Sequence, residues 1–347
     1  MEIFVSLWQK SAMATNRINW IDWAKCIAIT MVVLGHIPQT KDSFLQFYIC
    51  IFHIPLFFFI SGYLTKARTD TKEELAKCKK SLIIPYILYN IIFYPYWAIR
   101  LFLDKGVDFS VYEYIVKPII GLFFLQIETP ISSPVNGAMW FLAVLLIMRI
   151  TAHICNKTTR PIISMFIVAC LFVIIFVLDN FVDLLQSTTI DGLFKCMPLY
   201  ILGYMTRYYH ILDKVSFKSD AIYSIILISI SIIGAIINRN TDNPIIRIFA
   251  FYEVLITASY GVLFLCKTVN GLSSSIIITI SIGTLMIMGL HWMFIGTTNF
   301  IIEHIFHMNT GITYTWFEAI VFAIIIDACI YPIIIFSKKY FPILLGK

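Results

Sequence analysis

Long apolar runs, each near the length that crosses a bilayer, follow one another almost without interruption along this chain. They lie at roughly 20–38, 44–64, 82–103, 137–155, 162–178, 192–207, 221–238, 247–266, 276–296 and 316–337. A hydrocarbon core takes about 20 apolar residues to span as a helix. Backbone polar groups inside lipid must pair internally, so runs of this kind can only become helices. Charge is correspondingly scarce: 13% of the 347 residues are charged and 59% are hydrophobic, where soluble domains carry about 25% charged residues. The expected fold is an all-α integral membrane protein of about ten helices in one bundle. No stretch between spans is long enough to bury a core of its own, so residues 1–347 read as a single domain.

The loops give an orientation. One alternate set holds Lys10, Arg17, Lys66, Arg68, Lys72, Lys77, Lys79, Lys80, Lys157, Arg160, Arg207, Lys214, Lys218, Lys267, Lys338, Lys339 and Lys347. The other holds chiefly Lys41, Lys105, Lys117, Arg239 and Arg247, with an acidic loop at Asp179, Asp183 and Asp191. Positive charge is retained on the cytoplasmic side, which predicts both termini inside. The net charge of +6 is thereby read as topology, with no nucleic-acid partner. No cleavable signal peptide is expected, because the apolar patch from Ile3 to Trp8 is too short, and Met13 is a second possible start. The weakest spans are the sixth, with Lys195 and Pro198, and the segment 118–127, which is too short to cross and reads as re-entrant or interfacial. The region Thr65 to Ser81 reads as a basic cytoplasmic loop. Eight scattered cysteines form no CxxC pair and read as free thiols or small apolar residues.

Ionisable groups within such runs are costly and mark function by default. The first run contains Lys25 and His36. Eleven helical residues turn about 1100°, close to three full turns, and rise about 16 Å. The two side chains therefore share a face near opposite ends of one helix. His36 reads either as a general base, with an ordinary pKa near neutrality, or as a histidine wetted by headgroups. Lys25 reads either as a functional cation or as a snorkelling one, with Asp22 as its i,i+3 partner. In the second run His53 precedes Pro55 and a Phe-rich stretch ending Ser61-Gly62-Tyr63, where small residues allow close helix approach.

Lys25-x10-His36, the run Phe52-His-Ile-Pro-Leu-Phe-Phe-Phe-Ile-Ser-Gly-Tyr63 and the triplet Trp140-Phe141-Leu142 together resemble the membrane-bound acyltransferase-3 family, in particular its fucose 4-O-acetylase-like branch. Pro85-Tyr86, Pro198 to Tyr204 and Leu290-His291 are weaker matches. The resemblance implies ten core helices and transfer of an acyl group, usually acetyl from cytoplasmic acetyl-CoA, to a hydroxyl of an extracytoplasmic glycan. It implies that His36 is the essential histidine and Lys25 its basic partner. The family often has Arg at the Lys25 position, which would add a bidentate fork, and Arg-x-Arg where this chain has Lys66-Ala-Arg68.

The chemistry is consistent with that implication. The phosphates of acetyl-CoA need cations at the inner face, and Lys25, Lys66, Arg68, Lys79 and Lys80 are candidates. No metal is called for. His53, Tyr63, Glu128, Trp140, Glu253 and His291 are candidates for contact with a glycan or lipid-linked saccharide, and either Glu128 or Glu253 could orient His36. No Ser-His-Asp set is evident, so direct transfer is favoured over an acyl-enzyme. Glu303, His304 and His307 have metal-like spacing but read as solvated loop residues. The alternative function is a transporter using buried ionisable residues, which predicts inverted repeats with matching broken helices; none is evident in the sequence.

Overall fold

The computed structural model describes residues 17–66, 70–106, 108–124, 131–182, 188–212, 216–304 and 311–347. Every extended element among them is helical. The helices are α1 (Asn19–His36), α2 (Phe44–Leu64), α3 (Thr71–Cys78), α4 (Ile84–Lys105), α5 (Lys117–Phe123), α6 (Trp140–Cys155), α7 (Pro161–Val182), α8 (Thr188–Tyr208), α9 (Phe217–Asn240), α10 (Pro244–Thr268), α11 (Ser275–Ile282), α12 (Thr284–His304) and α13 (Trp316–Tyr340). Seven helical stretches, 44–64, 71–103, 137–155, 217–240, 244–268, 284–304 and 316–340, are long and apolar enough to cross a membrane. The protein is therefore an all-helical membrane protein.

Helix α1 lies at the centre and packs against α2, α10, α11, α12 and α13. Ala24, Ala28, Ile29, Val32 and Val33 are fully buried, while Trp23, Ile27 and Met31 are only partly so. Helix α9 is the opposite case. Ile222, Ile225, Ile226, Ile233 and Ile236 are exposed on the isolated chain, as a lipid-contacting surface requires.

Close approach is concentrated where α2 crosses α8. A Cβ added to Gly62 would collide with the Tyr200 carbonyl, and one added to Gly203 would collide with the Phe59 carbonyl. The two glycines thus sit reciprocally, each under the other helix's backbone.

Two local expectations change and a third holds. Most of the region read as a basic loop is helical, because Asp70 caps α3 by accepting from the Lys72 and Glu73 backbone N–H groups. A wide-turned segment, Lys79–Ile83, then carries α3 into α4. The ninth apolar run is broken at Gly283, where a Cβ would collide with Ile334. Of the segment 118–127, residues 118–123 fall in the seven-residue α5, too short to cross. Its Tyr86 contact, a hydroxyl donating to the Leu122 carbonyl at 2.8 Å, fastens it to α4. All eight cysteines are free.

Candidate functional site

Three histidines from three helices meet inside the bundle, His36 at the C-terminal end of α1 and His53 and His291 partway along α2 and α12. The His36 ring centroid is 4.9 Å from that of His291 on α12 and 6.2 Å from that of His53 on α2, both edge-to-face. Trp292 stands beside them, 5.4 Å from His36. Gly137 leaves room for the indole: a Cβ there would lie 3.2 Å from the Trp292 ring, tighter than ordinary contact, whereas one at Gly35 would meet His53 Cε1 at an ordinary 3.5 Å.

His36 Nδ1 is 2.7 Å from the Val32 carbonyl. A carbonyl only accepts, so Nδ1 carries the proton and Nε2 keeps its lone pair. His36 is half-buried at the last residue of α1. Its surroundings are closed by paired connections. Thr40 N–H donates to the Tyr314 carbonyl and Tyr314 N–H to the Pro38 carbonyl, both at 2.9 Å. Asn136, fully buried, donates through Nδ2 to the Gly289 carbonyl at 2.9 Å and fixes the start of α6 against α12.

The other end is cationic and contains two adjoining cavities that share Leu64, Thr65 and Lys66. One, of about 340 Å³, is also lined by Glu74, Lys77, Arg149, His153 and Asn156. The second, of about 540 Å³, is lined by Ile18, Tyr63, Tyr204, Arg207, Tyr208 and His210. Arg149 donates to Glu74 at 2.5 Å and 3.1 Å and to Ser81 at 3.3 Å. Arg207 lies over the Tyr63 ring at 5.3 Å and donates to its hydroxyl at 3.3 Å. His36 is in the wall of neither cavity.

Lys25 has no hydrogen bond or ion pair among the described residues. Its charged neighbours are Asp22, Arg17 and Lys347. The i,i+3 partnership expected with Asp22 is not formed. Asp22 instead takes a two-point ion pair from Arg17, at 2.7 Å and 3.1 Å, and a 2.5 Å hydrogen bond from Ser281. Both carboxylate oxygens are thereby used. Burial, and then repulsion from Arg17 and Lys338, hold the Lys347 ammonium below the usual lysine range. Lys25 is thus left without a counter-ion at this end, since the one nearby carboxylate is taken by Arg17 and Ser281.

The remaining candidates are spread out. Tyr63 lies at the cationic end, 10 positions beyond His53 on α2, with its ring 5.3 Å from Trp20. Lys66 lines both cavities, whereas Lys79 and Lys80 are exposed on the wide-turned segment and line neither. Trp140 packs over Gly192, where a Cβ would collide with its ring. Glu253 does not orient His36: its hydrogen bond, at 2.9 Å, comes from Thr257, and its carboxylate fills the space over Gly234 on α9. Asp327 accepts from Thr30 at 2.6 Å. Glu303 caps backbone N–H groups of Gly311 and Ile312, at 2.7 Å and 3.4 Å. No group of three or more His, Cys, Asp or Glu among the described residues is arranged to hold a metal ion. Arg68, Glu128 and His307 lie outside the described residues. Arg149, Arg207 and Trp292 are the additions that sequence reasoning missed. For Arg149, the available signal was an arginine near the end of an apolar run.

Residues 18–336 match the acyltransferase-3 family model, described as an acyltransferase domain. The chain is also similar to the nodulation protein NolL of Sinorhizobium fredii (strain NBRC 101917 / NGR234), 38% identical over 91 residues. That match covers 23% of this chain and 25% of the relative, so the similarity reaches about a quarter of the curated protein's length. No solved structure matches.

Proposed function

Because this chain belongs to the acyltransferase-3 family, we propose that it is an integral-membrane O-acetyltransferase, moving acetyl from cytoplasmic acetyl-CoA to a hydroxyl of an extracytoplasmic or exported glycan. The observation that carries this reading is the polarity of α1. A half-buried imidazole with a free Nε2 stands at one end, and an unpaired lysine beside a cationic region stands about 16 Å away toward the other. On this reading the cationic end faces the cytoplasm of a bacterial inner membrane. The bundle crosses ten times, with α1, α7 and α8 joining the seven apolar spans.

The donor's phosphates are held by Lys66, Arg149 and Arg207 in the two adjoining cavities, with Lys25 adding charge deeper along α1. The arm of the donor runs from there toward His36, parting the side chains that lie between the cavities and the imidazole. His36 Nε2 then takes the proton of the acceptor hydroxyl as its oxygen attacks the thioester carbonyl carbon. A C–O bond forms, the C–S bond breaks, and the departing thiolate takes the proton back from the imidazolium. The ester leaves on the glycan, and both partners of the transfer are neutral in protons.

The test is mass spectrometry of surface glycans from cells with and without the protein. Gain of one acetyl group per repeating unit is expected, and identical glycans would reject the reading. Two substitutions address the donor side. Lys25→Ala and Arg207→Gln are each expected to raise the KM for acetyl-CoA by about tenfold, the scale of one charge-assisted hydrogen bond. The KM for the acceptor should stay where it is. An unchanged acetyl-CoA dependence in both variants would remove the phosphate assignment.

A further inference from the structure

Two ring nitrogens next to His36 have nothing to bind. His53 is 3% exposed and His291 is 0% exposed. Each spends its Nδ1–H on its own helix: His53 on the Ile49 carbonyl at 2.7 Å, His291 on the Ile287 and Met288 carbonyls at 3.0 Å and 2.9 Å. Both rings are therefore fixed in the tautomer whose Nε2 can only accept. Neither Nε2 has a hydrogen-bond partner. Buried polar groups are almost always paired, and one left unpaired is costly.

These acceptors gather around a third. His36 is pinned through Nδ1 in the same way and also presents a bare Nε2. Three lone pairs cannot satisfy one another. Nor is the trio arranged to share a metal ion. What satisfies it is a ligand bringing more than one O–H group to the Nε2 edges of these rings, whose centroids lie 4.9 Å and 6.2 Å from that of His36. Two hydroxyls on adjacent carbons of a sugar ring have their oxygens about one hydrogen-bond length apart, which suits neighbouring imidazoles at this spacing. Trp292, 40% exposed and 5.4 Å from His36, offers the apolar ring face on which the C–H side of a pyranose rests.

We propose that His291, with His53 beside it, accepts a hydrogen bond from the hydroxyl adjacent to the one being acetylated, so that the acceptor is a sugar bearing a free 1,2-diol. This rests on the O-acetyltransferase reading above. His36 removes one hydroxyl proton. The neighbouring O–H keeps its own proton and donates toward His291 Nε2, so no other bond is made or broken. The primary hydroxyl of a hexopyranose has no such neighbour, because the adjacent carbon carries the ring oxygen; it leaves a buried acceptor unpaired, and sites of that kind reject ligands lacking the missing group.

The experiment has two arms, both on the full chain, the first in cells and the second on the purified protein. NMR of the modified glycan locates the ester. An ester on a ring hydroxyl with a free neighbouring hydroxyl is expected. An ester on an exocyclic primary hydroxyl, or on one with no free neighbour, would overturn the proposal. Glycans carrying no ester at all would instead take away the reading beneath it. In the second arm, His291→Leu removes the acceptor atom and His291→Gln restores one. Leu is expected to raise the acceptor KM about tenfold, the scale of one neutral hydrogen bond. The KM for acetyl-CoA should not move, and Gln should recover most of the loss. Equal loss in both variants, with thermal unfolding unchanged, would mean that the ring only fills space. If the Leu variant does not accumulate, removing the neighbouring hydroxyl from the acceptor makes the same deletion from the other side. Full transfer to that monodeoxy sugar would overturn the proposal.

Discussion

His36→Ala is expected to abolish detectable acetylation of the glycan and to leave the protein inserted and folded. The expected loss is at least the 10²–10⁴-fold, approximately, that a positioned general base contributes. The structural cost is small, because His36 is half-buried at the last residue of α1 and its one anchoring hydrogen bond is to its own helix. The remaining imidazoles do not substitute. His53 and His291 have their Nδ1 groups committed to their own helices, and their rings sit 6.2 Å and 4.9 Å from the place His36 vacates. The measurement is mass spectrometry of the glycan alongside the amount and thermal unfolding of the purified protein. Full acetylation by a folded His36→Ala protein would end the assignment of the base.

Gly203→Leu and Gly62→Leu are expected to prevent accumulation of folded protein. At these two positions the obstacle to a side chain is backbone, the carbonyls of Phe59 and Tyr200, and backbone has no rotamer to give way. Helix α2 carries His53 at its middle and Tyr63 near its C-terminal end, so pushing α8 off it disturbs both. Even Ala at either site should cost about 1–3 kcal/mol or more, the range for overpacking a close contact. Gly271→Ala is the control, since a Cβ there has nothing within 4 Å. Thermal unfolding in detergent separates the cases, and an unshifted transition for Gly203→Ala would contradict the crossing.

Much of this architecture is legible in the sequence because lipid imposes a single rule, that apolar runs of sufficient length become helices. The run at 44–64 is helix Phe44–Leu64 to the residue. Hydropathy is blind where the signal is of another kind. It carried the ninth run straight through Gly283, because a glycine does not interrupt an apolar average. It read Thr71–Cys78 as loop, although Asp70 followed by Lys72-Glu73-Glu74 is a helix-start pattern. The candidate site was half legible for a related reason. Helical periodicity tells which residues share a face of one helix, and so linked Lys25 to His36. It does not tell which faces of different helices meet. His53, His291 and Trp292 come together from positions 53, 291 and 292 only in the folded bundle. The same limit explains Asp22. Its nearest basic neighbour by helical spacing is Lys25, but Arg17 folds back and Ser281 arrives from α11. Counting loop lysines pointed to Lys79 and Lys80, while the cavity walls draw on Arg149 and Arg207 within helices.

The backbone pairing of Tyr314 with Pro38 and Thr40 fastens the first connection of the chain to the last. Pro38 is two residues past His36, so the imidazole's setting is finished by a segment far along the chain from it. The ribosome must make every residue between the two before the pocket can close. Products truncated ahead of Tyr314 should therefore be inert even where the first two helices have already inserted.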